Sequence, residues 1–521
     1  MNYEVLKYSI DELIRAISSN SLASEAVLKT KHHSVYFEEY FSHLLSQTIV
    51  VEHHYIDKDY LEDFSSYYVR CFDDYERKCT RLHFFSLEFN EEDFTKLLES
   101  KNSSLSQELL SDHYLGFIIV KKLPNTVIGR SSLRTYDDDQ HRNFPISRNY
   151  EANLYGIKLK VKSIAFQEQD SVVAACATSA LWSVFHCTGL LFHHPIPSPA
   201  EITKKASEYL PTGTLDARIF PNKGLSIEQM AYAVRDVSLE PYLVNPNEQF
   251  ILQSTAYAYA HAKIPCLLGI MLYNKSTNEY LGRHAIAITG YNIDDNYVTT
   301  IADSELHLKS FRVAKYYVHD DQVGPFARMI FDNQIFPFTI DGNTFRSYSL
   351  QTFWSDANRN VGDIRAIPTI LLIPLYHKIR IPFATILNSI IYFNSFIEFL
   401  RANHFLSLAN FLEWDIYLTS INDFKSESLI EKNLLGEELR SILESPLPHF
   451  MWRATAKNNN QLVLDVLFDA TDIEQGNILL KVIEYDKTIT LSIRDYARIP
   501  TASDAYLSTK AKEIINWFKL R

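Results

Sequence analysis

Glycine is scarce in this chain, with 14 in 521 residues, and none of it is arranged to cradle a phosphate. Neither GxGxxG nor GxxxxGK[ST] occurs, so nucleotide binding has no motif behind it. Long flexible linkers are excluded by the same scarcity. Cysteine is rarer still. Cys71, Cys79, Cys176, Cys187 and Cys266 are odd in number and scattered, with no CxxC pair. That excludes a zinc ribbon or a thioredoxin-type motif, and the missing disulfide framework favours a reducing compartment. Positive charge is also short. Lys and Arg total 51 against 63 Asp and Glu, for a formal charge of −12 and no sustained basic run, so no nucleic-acid partner is expected. Long apolar runs are missing too. MNYEVLKYSIDELIRA has no apolar core of a secretory signal. Ile367 to Leu375 is short and is followed by His377, Lys378 and Arg380, so no membrane insertion is expected. The expectation is a soluble, cytoplasmic protein with no cofactor and no metal.

What is present is apolar and aromatic material for several cores, 46% and 13% of the chain. At roughly 100–200 residues per domain, two to four domains are expected. The fold class expected is α+β, in three segments: a mixed α/β region over 1–155, a central domain over 156–335, and a second mixed region over 336–521. Leu6, Ile10, Leu13 and Ile14, then Phe37, Tyr40, Phe41 and Leu44, predict helix through about residue 46. TIVVEHHYI and LGFIIVKKL predict strands, and YDDDQHRN with Asp137, Asp138 and Asp139 predicts a solvated loop. SPAEITKKASEYL predicts a helix capped by Ser198 with Glu201, and Ser226 predicts another cap. Strands are expected at KIPCLLGIML, HAIAITGYN, WDIYL, HFMWRATA, LVLDVLFDA and ILLKVIEY, and one closing helix at AYLSTKAKEIINWFKL. Two polar clusters carry no site. His53 and His54 are neighbours on a predicted strand and point to opposite faces. Asp465, Asp469 and Asp472 lack the alternation and the glycine of a calcium loop.

The stretch IAFQEQDSVVAACATSALWSVFHCTGL, Ile164 to Leu190, carries the chemistry. It predicts a turn leading into a helix with Cys176 near its start. A hundred residues later RHAIAITGYN opens a strand with His284. A thiol attacks as its thiolate, which a helix N-terminus favours and which a nearby imidazole generates by taking the proton. A third side chain must hold the ring, and an oxyanion needs donors: the Cys176 backbone N–H and an upstream Gln amide would serve. Taken alone, a cysteine among alanines is a small core residue. Cys187 beside His186 makes no dyad, because adjacent helical residues do not face each other.

Gln169 with Cys176 in QDSVVAACATSALW, then HAIAITGYN, then YYVHDDQVGP give this part of the chain its resemblance. Over roughly 159–335 it resembles the papain-like cysteine peptidases, most closely the bacterial branch that includes the double-glycine leader peptidases. The resemblance implies a papain-like central domain and a cysteine peptidase, a hydrolase whose partner is a peptide or protein substrate. It implies Cys176 as nucleophile, His284 as general base and acid, and Gln169 as oxyanion donor. For the orienting acid, Asp320 stands where the family has Asn or Asp, with Asp303 and then Asp321 as alternatives. The sequence departs from the family at three points: Ala177 replaces the usual Gly, the Gln169-to-Cys176 spacing is one residue longer, with Gln167 as a second candidate, and the stretch from His284 to Asp320 is long. The same thioester chemistry serves deamidases, transglutaminase-like enzymes and acyltransferases, and a papain-like domain can also be a non-catalytic binding module.

Overall fold

A computed structural model describes residues 2–136, 141–170, 172–210, 218–221, 223–299, 305–340, 342–355, 360–408, 410–431, 434–473 and 476–521. Asp303 and Asp137, Asp138 and Asp139 lie outside the described residues. The protein is of the α+β class, 35% helix and 32% strand, with antiparallel pairing dominant. It divides into two compact units, each assembled from separated stretches of sequence. The first holds 1–247, 265–292 and 315–374; the second holds 248–264, 293–314 and 375–521. This division runs across the sequence positions 155 and 335 rather than along them. A hairpin of Arg148–Leu154 with Ile157–Ser163 bridges the first, and the chain passes between units more than once beyond it.

Two sheets frame the first unit. One is a five-stranded antiparallel sheet in the order Tyr3–Lys7, Thr48–Tyr55, Cys79–Phe85, Tyr114–Val120 and Ile128–Leu133. Its first strand replaces the expected helix at Leu6. Tyr3–Lys7 pairs with Glu52 through Thr48, and strand pairing supplies hydrogen bonds that five residues cannot make as an isolated helix. The helix Ile10–Ser19 follows directly, capped by Ser9. His53 bonds Glu4, while His54 adopts a left-handed φ of 59° at a bulge in the strand.

The other sheet closes on itself. Cys266–Asn274 pairs with Tyr280–Ile293 on one side and with Ile364–Tyr376 on the other, and Val313–Asp320, Gly324–Phe331 and Leu350–Gln351 complete the ring. Closure removes exposed edges and fixes the strands relative to one another. Against it lies the helix Cys176–Phe192. This helix is apolar nearly all round, so it is buried, with Leu181, Trp182, Val184 and Phe185 packed among Ile202, Met230, Leu267, Ala285, Ala287 and Leu372. The helices Pro199–Ser207 and Ile227–Asp236 both start with the expected capping box, Ser198 with Glu201 and Ser226 with Gln229.

The second unit is built on a five-stranded sheet in the order His307–Leu308, Glu413–Ser420, Phe450–Asn458, Gln461–Asp469 and Leu479–Glu484. The period of two separates its faces. Trp414 and Trp452 lie on one face and meet the helix Phe383–Ala402 through Phe393, Asn394 and Phe383. Asp415, Thr455 and Asp465 stand in register on the other. Phe383–Ala402 is the one helix among the described residues that is long and apolar enough to cross a membrane, and 67% of its most apolar window is buried inside the protein. The single closing helix expected near the C-terminus is two, Pro500–Leu507 and Lys512–Leu520, with a turn between them.

Candidate functional site

Cys176 is the first residue of its helix. The cap position, Ala175, offers no side-chain acceptor, so the first-turn N–H groups remain oriented outward beside the thiol. The preceding turn is held by Asp170. Its Oδ1 accepts from the Val172 and Val173 N–H groups at 2.9 and 3.2 Å, and its Oδ2 accepts from the Tyr68 hydroxyl at 2.6 Å. A backbone bridge between Asp170 and Ala174 closes the turn two residues before the thiol. Half-burial leaves Cys176 reachable, whereas Cys79, Cys187 and Cys266 are buried.

His284 stands on the strand Tyr280–Ile293, opposite Ile270, and Asp320 ends the neighbouring strand Val313–Asp320. Adjacent strands therefore bring together residues 36 apart in sequence. Asp320 Oδ1 lies 2.9 Å from His284 Nε2, and the Cys176 thiol lies close enough to the ring to help raise its pKa. With Nε2 on the carboxylate, Nδ1 is the nitrogen left for sulfur. Asp321, next in the chain, brings its Oδ1 to 3.4 Å from the same Nε2. Cys176, His284, Asp320 and Asp321 thus form one cluster. Burial alone would lower the His284 pKa, but the Asp320 and Asp321 carboxylates and the hydrogen bonds of Asp320 and Cys176 hold it well above the ordinary histidine range. The Asp320 carboxyl is held below its usual range: burial opposes ionisation, and the His284 charge with hydrogen bonds from His284, Trp354 and Gln322 outweighs it. Burial pushes Asp321 up to about 7, against the pull of His284 and with the repulsion of Asp320 and Glu168.

Trp354 joins the site without any signal in the sequence. Its Nε1 donates to Asp320 Oδ2 at 2.7 Å and its ring meets the His284 ring edge-on, with centroids 5.5 Å apart. Trp354 comes 34 residues after Asp320, at no spacing that would have signalled it. The Gln322 N–H donates to Asp320 Oδ1 at 3.1 Å. Beyond Trp354 stands His32, its ring 4.9 Å away and its Nδ1 2.8 Å from the Ser355 hydroxyl. The two glutamines differ. Gln169 is half-buried and lines a cavity of about 340 Å³ with Lys31, His32, His33, Glu168 and Gln322. Gln167 is buried, and its amide nitrogen has no hydrogen-bond partner. Asp303 lies outside the described residues.

A thiol, an imidazole and a carboxylate in series, at a helix start and on neighbouring strands, can generate a sulfur nucleophile and return a proton to a leaving group. The three ligand-type side chains His284, Asp320 and Asp321 can also converge on a metal ion. Such a series on an α+β scaffold is what the fold and the cluster define. No protein-family model matches the chain, and no curated protein is significantly similar to it.

Proposed function

We propose that this protein is a cysteine hydrolase of papain-like type, a cytoplasmic cysteine peptidase that cleaves a peptide or isopeptide bond through a thioester on Cys176. The observation that carries the reading is the 2.9 Å hydrogen bond between His284 Nε2 and Asp320 Oδ1, with the half-buried Cys176 thiol beside the same ring. His284 takes the thiol proton, and Asp320 offsets the charge that the ring then carries. The sulfur attacks the substrate carbonyl, and His284 returns the proton to the departing amine. Water then attacks the thioester with His284 as base, which frees the acid product and the thiol. The oxyanion takes a hydrogen bond from the Cys176 backbone N–H and from a glutamine amide. The resemblance suggests Gln169, but Gln167 has the donor that is buried and unpaired.

A half-buried thiol at a helix start, close enough to the His284 ring to bear on its pKa, argues against a purely structural role for Cys176. Cytoplasmic residence is supported by all five cysteines being free. A thiol-directed activity probe is expected to label the wild type and to lose its mark in Cys176→Ala; persistent labelling sinks the assignment. Mass spectrometry of candidate substrates separates the acceptors, since cleavage, the small mass gain of deamidation and a cross-link are distinct products.

A further inference from the structure

Asp321 has no task in that series. It is buried, neither carboxylate oxygen accepts a hydrogen bond, and Oδ1 faces His284 Nε2 across 3.4 Å. A carboxylate removed from water, with no hydrogen bond and only a shared imidazole at 3.4 Å, is costly to keep ionised, so a further partner would stabilise it. We propose that His284 Nε2, Asp320 Oδ1 and Asp321 Oδ1 form a binding site for a zinc ion that holds the thiol site inactive. The inhibitory half of this inference rests on the thioester reading of the same site; the binding half does not.

The geometry fits. One ligand atom from each of His284, Asp320 and Asp321 lies within 4.8 Å of the other two, the one such group of His, Cys, Asp or Glu among the described residues. Zinc bonds of about 2.0–2.2 Å in a tetrahedron set ligand atoms about 3.3 Å apart. The Nε2 to Asp321 Oδ1 separation is already 3.4 Å, and the 2.9 Å separation to Asp320 Oδ1 needs only a small opening. Asp320 is oriented by Trp354 Nε1 on Oδ2 and by the Gln322 N–H on Oδ1, the kind of outer support that orients a metal ligand. One imidazole and two carboxylates suit zinc and leave the fourth position to water. Magnesium prefers an octahedron of oxygens and fits this donor set poorly.

Binding exchanges one bond for another. The proton on Nε2 leaves to solvent, its electron pair forms the bond to zinc, and Nδ1 keeps its own proton. A ring held in this way can release the Nδ1 proton only by becoming an imidazolate. It therefore cannot pass a proton between Cys176 and a leaving group, and turnover stops while the ion stays.

Titration calorimetry with zinc chloride tests this on the full-length Cys176→Ala protein, so that the thiol is not a ligand, with magnesium chloride in excess. One stoichiometric site is expected, weakened at least tenfold by adding Asp321→Asn and equally by Asp321→Ser, with unchanged circular dichroism as the check on folding. No stoichiometric site, or one that neither replacement weakens, overturns the proposal. The two readings fail separately. If zinc binds as described but the wild-type thiol takes no activity probe, the thioester reading falls and this site stands. If the probe labels Cys176 and no such zinc site exists, this site falls and the thioester reading stands.

Discussion

Each of the two units buries a cluster of charged side chains, and the clusters are built on opposite terms. In the second unit Arg453 bonds Asp465 through Nε at 2.9 Å and Glu427 through Nη1 at 2.8 Å, and the Tyr485 hydroxyl donates to Asp465 Oδ2. Beside them Lys309 pairs with Asp415 at 2.7 Å, and the Tyr257 hydroxyl donates to the other Asp415 oxygen. Each of these carboxylates has a fixed cation, and neither cysteine nor histidine lines the neighbouring cavity of about 750 Å³. In the first unit one titratable imidazole faces two carboxylates, and the half-buried Cys176 thiol stands beside the ring. Fixed pairing holds a sheet face in place. A cluster whose acids outnumber its bases, and whose imidazole can lose its proton, has the groups to move protons or to bind a cation.

The contrast can be broken most severely at the thiol. Cys176→Ala should abolish probe labelling while leaving the thermal unfolding midpoint close to that of the wild type, since a half-buried helix-start residue contributes little packing. The reverse pattern is expected in the second unit. Arg453→Met leaves Asp465 buried without its cation, a loss of about 3–5 kcal/mol, whereas the double variant Arg453→Met with Asp465→Leu should recover most of it. Calorimetric unfolding of the three proteins checks this, and probe labelling should survive in all of them. A smaller effect is expected where the two kinds of contact meet in one residue. Trp354→Phe removes the donor to Asp320 Oδ2 and should slow Cys176 labelling about tenfold, about 1.4 kcal/mol in the barrier.

The smallest effect sharpens the comparison through pH. The Asp321 carboxyl is raised from 3.8 to about 7 in the folded protein, so between those values the native state holds a proton that the unfolded chain has released. This group's contribution to stability is therefore complete below pH 3.8 and declines until the pH has passed about 7. His284, raised above 6.5, adds a loss of the same sign at higher pH, as the pH climbs through its folded value. Asp321→Asn cancels the first slope. Its unfolding midpoint should exceed the wild-type value by a few degrees at pH 8, and the gap should close toward pH 4. Parallel melting curves across that range would remove Asp321 from the charged cluster.

Much of the local structure was legible from residues near one another. Ser198 with Glu201 and Ser226 announced their helices because a cap and its partner are three residues apart. The strand HAIAITGYN and the strands of the second sheet were visible in their β-branched and apolar runs. Tyr3–Lys7 has helical spacing at Leu6 yet forms a strand, because its hydrogen-bond partner is Thr48–Tyr55 and a short apolar run does not declare its period. At the site, Cys176, His284 and Asp320 were expected from motif order and are brought together. Trp354 carried no signal because its contact to Asp320 spans 34 residues, and Gln167, the second glutamine candidate, has a buried amide nitrogen without a hydrogen-bond partner.

The sequence by itself determined the α+β class, the helix that starts at Cys176 and the strand that carries His284, because capping, periodicity and β-branching act over a few residues. Tertiary structure alone decided how the chain divides and which acid meets the ring. Asp320 and Asp321 are adjacent in sequence, yet one is hydrogen-bonded from three directions and the other from none. That difference arises from long-range pairing of strands and from a tryptophan 34 residues away, and no local pattern encodes it.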